Sequence, residues 1–293
     1  MASLKEIRGR IGSVRNIAQI TRAMEMVAAS RMKRAQDAIV AARPYSDQMR
    51  DVLSRVAAAV TEEISPLLAR RPVRRIGIVV LTTDRGLVGA LDANSVRAVL
   101  RFVAERAGRD GERVEVEAIS VGRKGRESLR RAGIPVAAHF PGLGNRPTFS
   151  QVTPIARLVT EDFIEGRYDE IAIEYSAWIN TLSQRATLRT ILPIERPEMG
   201  EEQKRTNDEY LFEPSARAVL DQLLPRYVAV DIYRAALEHN ASEQSAAMIA
   251  MRNATDNANE LIDGLTLVYN KTRQANITRE MIEIASGANA LAG

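Results

Sequence analysis

One stretch of this sequence combines residue types and spacing that could hold a ligand: TTDRGLVGALDAN, residues 82 to 94. It follows the continuous apolar run IGIVVL (76 to 81) and leads into a helical pattern from about Asp92. In an α/β domain that is where backbone N–H groups at a helix N-terminus cradle phosphate. The glycines here are only Gly86 and Gly89, so neither the three-glycine dinucleotide fingerprint nor the GK[ST] ending of a nucleotide loop is present. The stretch reads as a structural turn or protein-contact loop, with Asp92 or Asn94 available to cap the next helix. The two histidines, His139 and His239, have no neighbours at metal-ligand or general-base spacing, and a chain without cysteine can build no disulfide, thiolate zinc site or cysteine nucleophile. Both histidines read as structural, and no cofactor is expected on this chain.

The elements that would position these residues fall into three parts. From Ser3 to about Ala59 apolar residues recur at Leu4, Ile7, Ile11, Val14 and Ala18, falter at Thr21 and Glu25, and resume at Ala28, Met32, Ala35, Ile39 and Ala42. That 3-4 spacing marks a coiled-coil seam on a helix on the order of 80 Å long. From about Arg74 to Pro193 short apolar runs alternate with helical stretches. IGIVVL, VEVEAISV, VAAHF and EIAIEY read as strands of a mostly parallel sheet, and TLRTIL (187 to 192) as a last strand, antiparallel to the others. After Pro225 the 3-4 spacing returns at Leu237, Ala241, Gln244, Met248, Met251, Thr255, Ala258, Ile262 and Leu265. Neither long helix can bury its seam alone, so the simplest fold pairs them as an antiparallel coiled coil built on the α/β domain. The expected division is residues 1–60, an N-terminal helix; 74–205, the α/β domain; and 206–293, a C-terminal helix.

Two segments carry more apolar surface than this pairing covers. ITRAMEMVAASRM (20 to 32) is apolar on two adjoining faces, and TLVYNKTRQANITREMIEIASGANAL (266 to 291) mixes apolar and hydrogen-bonding groups around its whole girth. Such helices are usually enclosed by other protein. Charge points the same way: residues 1–50 hold ten Lys or Arg against four Asp or Glu, so an acidic partner is expected there. RRPVRR (70 to 75) reads as a solvated linker. No run approaches the roughly 18 to 20 apolar residues of a membrane span, and MASLKEIRGR lacks the apolar core of a signal peptide.

At this point the sequence resembles a known family, the gamma subunits of F-type ATP synthases, the central rotor stalk. The resemblance rests on KEIRGRIGSVRNIAQITRAMEMVAASRMKRAQ, on TTDRGLVGALDAN, on EYLFEP and on ASEQSAAMIAMRNATDNANELIDGLTLVYNKTRQANITREMIEIASGANAL, and spans essentially the whole chain. It implies a long antiparallel two-helix coiled coil with a central Rossmann-like α/β domain. It further implies a shaft turning inside a ring of alpha and beta subunits, a foot resting with the epsilon subunit on the membrane c ring, and a non-catalytic role. The expected location is peripheral, on the cytoplasmic face of the cell membrane.

Carried over position by position, the resemblance implies that Arg273, Gln274, Thr278 and Glu280 contact alpha and beta loops near the top of the shaft. Met24 falls near the acidic beta loop, with Arg31 and Arg34 flanking it as contacts for acidic loops. Arg85 and Val88 approach the same acidic region from the foot, and Tyr210 and Glu213 face the c ring. The sequence departs from the family where Ala247 replaces a common arginine and where Val88 and Ala90 replace frequent cysteine and glycine. Two alternatives stand beside this reading: a basic coiled-coil nucleic-acid-binding protein, against which aromatics are scarce, and a dinucleotide-dependent enzyme using the loop at 82–94.

Overall fold

The computed structural model describes residues 3–59, 65–107, 114–195, 213 and 215–292. The described elements are helix α1 (Leu4–Ala59), a 3-10 turn (Pro66–Leu68), β1 (Arg75–Leu81), α2 (Leu91–Ala107), β2 (Glu115–Val121), α3 (Arg123–Arg131), β3 (Val136–Phe140), α4 (Phe149–Ile164), β4 (Glu170–Trp178), β5 (Gln184–Leu192) and α5 (Ala216–Ala292). They form two compact units, one of residues 1–28 with 248–293 and one of residues 29–247, and both long helices contribute to each.

In the larger unit the strands form one sheet in the order β3-β2-β1-β4-β5. β2, β1, β4 and β3 run parallel, and β5 returns antiparallel to β4. The central strands β1 and β4 are buried at almost every position because both of their faces are covered. Val79, Leu81, Ile171 and Ile173 pack against α4, the 3-10 turn and α5, whereas Ile76, Ile78, Val80 and Ala172 pack against α2 and α3. This alternation with period two gives the sheet a helical layer on each side. A capping box between Thr148 and Gln151 starts α4.

The linker reading of residues 70–75 is corrected by the packing. The Arg71 guanidinium lies 4.9 Å from the centre of the Phe163 ring. The Asp169 carboxylate accepts hydrogen bonds from the backbone N–H groups of both Arg74 and Arg75, and Arg75 already begins β1. The C-terminal helix also starts earlier than its proline suggests: α5 opens at Ala216 and carries Pro225 in its interior. Buried Leu220 and Leu224 pin that early stretch to the core, which outweighs the hydrogen bond that Pro225 cannot donate.

In the smaller unit α1 and α5 pair antiparallel. Thr21 shares a 2.7 Å hydrogen bond with Thr255, Arg252 donates to Glu25 at 2.8 Å, and Arg8 donates to the Tyr269 hydroxyl at 2.8 Å. The paired residue numbers add to 276 or 277, so one register holds along the unit. The expected falter at Thr21 and Glu25 is therefore not a break in the seam. Thr21 is as buried as its apolar neighbours, and both polar residues meet polar partners on α5 at the positions where apolar ones would pack. Ser3 and Glu6 bond reciprocally, side chain to backbone, at the start of α1.

Candidate partner-contact surfaces

The loop after β1 is closed upon itself. Thr83 donates from its backbone N–H and its hydroxyl to the Asp92 carboxylate, and its hydroxyl oxygen accepts from Gly86 N–H. Thr82 donates to Val121 O and accepts from Gly125 N–H, and Asp84 accepts from Arg123 N–H. The backbone N–H groups of Thr83, Gly86 and Leu91 are thus held by partners within the chain. Asp92 thus ties the loop back to Thr83 instead of capping α2, while Asn94 accepts from Arg97. The left-handed run Gly86, Leu87, Gly89 turns the chain sharply. Leu87, a non-glycine held at φ 62°, is 63 % exposed, which puts an apolar side chain outside at the cost of some backbone strain.

In an open α/β sheet with this strand order, ligands enter at the carboxyl ends of β1 and β4, where the winding direction reverses. In this chain α5 fills that crevice. His239 is buried and its Nδ1 accepts the Ser176 N–H, a donor two residues past the last β1–β4 pair. Burial holds the imidazole well below its ordinary value, at about 4, so it is neutral, as an acceptor must be. What remains is a cavity of about 20 Å³ between Thr82, Gly144, His239, Asn240 and Glu243, room for about one water molecule. His139 has a buried Nδ1 without a partner among the described residues.

Val88 lies in the same loop as Arg85. It is 4 % exposed and packs with Leu91, Ala246 and the partly buried Ala247, so its side chain is occupied within the chain. Ala247 adds a small side chain to that cluster. In this loop Arg85, Leu87, Gly89 and Ala90 are exposed, and of these Arg85 and Leu87 carry long side chains. Nearby, burial and the carboxylates of Asp92 and Asp84 push the Glu243 carboxyl up to about 7, against the opposing effect of Arg31 and Arg85. Arg31 also donates to Asn145 at 3.2 Å, and Arg34 donates to Ser30. Glu213 is exposed, and Tyr210 lies outside the described residues.

In the two-helix unit every carried-over residue faces outward. Met24 is 39 % exposed, and Arg273, Gln274, Thr278 and Glu280 are exposed. Around them stand Ile17, Ile20, Met26 and Val27 on α1, and Leu261, Leu267, Val268, Ile277, Met281, Ile282 and Ile284 on α5, all large, apolar and exposed. The paired register carries Arg273 opposite Leu4, so residues beyond about 275 on α5 have no α1 residue to face. All described side chains from Ile277 to Ala288 are exposed. Scattered surface apolar residues need no explanation, but a belt of this size around two helices marks an interaction surface.

Comparison with known proteins accords with this geometry. The family model described as ATP synthase matches residues 3–291. The ATP synthase gamma chain of Dehalococcoides mccartyi is 48% identical over 294 residues, covering 100% of both chains. That of Roseiflexus castenholzii is 49% identical, covering 100% of this chain and 99% of the relative. Among solved structures, a chain of the Tetrahymena thermophila mitochondrial ATP synthase central stalk and c ring is 26% identical, with a TM-score of 0.59 over 80% of this chain and 99% of that one. A chain of the Euglena gracilis mitochondrial ATP synthase is similar in fold, at a TM-score of 0.65 over 98% of this chain and 94% of that one, with 18% identity. A match that runs almost end to end, at close to half identity, leaves no part of the chain to another family. This chain belongs to the ATP synthase gamma chain family.

Proposed function

We propose that this chain is the turning central shaft of a rotary ATP synthase, coupling ion flow through a membrane c ring to nucleotide chemistry on beta subunits. The observation that carries the reading is the belt of exposed apolar side chains around the paired helices. A helix pair in water hides such residues, whereas an axle running through a protein-lined channel needs them outside. The partners are then the alpha and beta subunits around the two-helix unit, and the epsilon subunit and c ring at the α/β unit. In this reading Met24, Arg273, Gln274, Thr278 and Glu280 meet alpha and beta loops, and Arg31, Arg34 and Arg85 meet acidic ones. Leu87 takes the outward contact first assigned to Val88, and Tyr210 and Glu213 lie toward the c ring.

A non-catalytic role without a cofactor is supported by the crevice at β1 and β4, which α5 occupies. Attachment as a peripheral subunit at the cytoplasmic face of the cell membrane fits the helices: among the described residues none is long and apolar enough to cross a membrane. Nothing supports the nucleic-acid or dinucleotide alternatives. Several of the basic residues that suggested nucleic acid have partners within the chain, Arg8 with Tyr269 and Lys33 with Asp37 among them. Purification of the tagged chain from its native membranes tests the reading. Stoichiometric recovery of alpha, beta, epsilon and c subunits is expected, and recovery of the chain without an alpha–beta ring would overturn it.

A further inference from the structure

A shaft does work only if the body that receives torque cannot slip around it. Within the 29–247 unit, the part of α5 from Asp231 to Ser245 is held by polar contacts that apolar packing does not need. Arg189 on β5 donates two parallel hydrogen bonds to Asp231, at 2.6 and 2.8 Å. Ser176 N–H on β4 donates to His239, Asn240 donates to Gly144 O at 2.9 Å, and Trp178 Nε1 donates to Ser245 at 3.3 Å. At about 100° per residue, His239 lies about 80° around the helix from Asp231, Asn240 about 180°, and Ser245 about 40° the other way. The contacts therefore grip α5 over about 220° of its circumference, and they come from β4, β5 and the loop after β3.

Of the apolar residues in this stretch, Ile232, Tyr233, Ala235, Ala236, Leu237 and Ala241, half are alanines. Hydrophobic burial is non-directional, and small side chains make shallow ridges that resist turning weakly. Hydrogen bonds are directional, and a two-pronged guanidinium–carboxylate pair is the most so. Arg189 stays charged although burial opposes it, because the Asp231 carboxylate outweighs that effect and raises its pKa.

We propose that residues 231–245 of α5 are a keyed joint through which torque passes between the α/β unit and the long helix, with Arg189–Asp231 as its principal key. The proposal rests on the rotor reading and names the positioning residues that reading requires. The joint matters most under load, when the ion gradient opposes rotation.

The test uses the whole complex in inverted membrane vesicles, with Arg189→Ala, Asp231→Asn and the exchange Arg189→Asp with Asp231→Arg. Each single variant is expected to hydrolyse ATP within about two-fold of the parent when an uncoupler removes the load, yet to build about half the parent's ion gradient or less. The exchange is expected to recover most of the gradient, which a merely destabilised fold would not do. If Arg189→Ala does not assemble, Arg189→Lys keeps the charge, loses the two-pronged geometry, and is expected to show a smaller loss of the same kind. Single variants that reach the parent's full gradient would overturn the keyed joint alone. A parent complex that hydrolyses ATP without moving ions or turning this chain would overturn the rotor reading itself.

Discussion

Glu174 lies in the middle of β4 with both carboxyl oxygens buried. Burial pushes its carboxyl up to about 8, against a stabilising interaction with Ser95 and with a further push from Asp92. The folded state then binds a proton that the unfolded chain releases near pH 4.5, so Glu174 costs stability increasingly as pH rises from about 4.5 to 8. His239 works oppositely: neutral when folded down to about pH 4, it costs stability as pH falls below about 6.5. Replacing Glu174 with Gln is therefore expected to leave the melting temperature near pH 5 little changed and to raise it near pH 8. Thermal melts across that range check this, and an equal effect at both ends would rule out the titration as its cause. The sequence showed His239 as a helix residue without chemistry, and its place as an acceptor for Ser176 depends on a strand some 60 residues away. Glu174 was equally illegible, since EIAIEY reads as an alternating strand and nothing local reveals that both of its faces are covered.

At the scale of elements, the legible parts were those with one dominant period. β1 announces itself by an unbroken apolar run, and the two seams by 3-4 spacing that continues through Thr21 because Thr255 answers it. Helix α3, RKGRESLRR, buries only Gly125 and Leu129 and carries little apolar signal. Its position is set by close approach to the end of β1. Gly122, just before it, has φ +95°, and a Cβ there would stand 2.2 Å from the Thr82 carbonyl oxygen. Gly89 also has positive φ, at +58°, but a Cβ there would meet open space. Gly122→Ala is expected to cost at least ~3 kcal/mol, since backbone must move as well as accept strain, and Gly89→Ala only ~1 kcal/mol. Urea unfolding of the two variants decides the point: equal costs would mean that backbone strain alone matters and that the contact with Thr82 does not order this junction.

For the whole molecule, the sequence revealed that two segments had too much apolar surface, and the structure shows which residues carry it. Met24→Lys is expected to lower ions pumped per ATP hydrolysed, because it replaces a half-exposed apolar contact with a long cation at the enclosed part of the axle. An unchanged pumping ratio would place Met24 outside that contact. The sharper test lies at the far end of α5. Residues beyond about 275 have no α1 residue opposite them, and a helix segment without tertiary contacts is marginal by itself. Deleting residues 285–293 should then shift the melting temperature of the isolated chain by no more than about 1 °C, since almost no packing is lost. In the complex the same deletion shortens the helix end that, on the proposed role, only partners cover, so it should weaken assembly with the alpha–beta ring. Once assembled, the truncated complex should still hydrolyse ATP, because the proposed shaft role puts the chemistry on other chains. A large fall in the isolated chain's melting temperature would mean that the end of α5 serves the fold of this chain. Complete loss of hydrolysis in a fully assembled truncated complex would contradict a mechanical role for this end of the shaft.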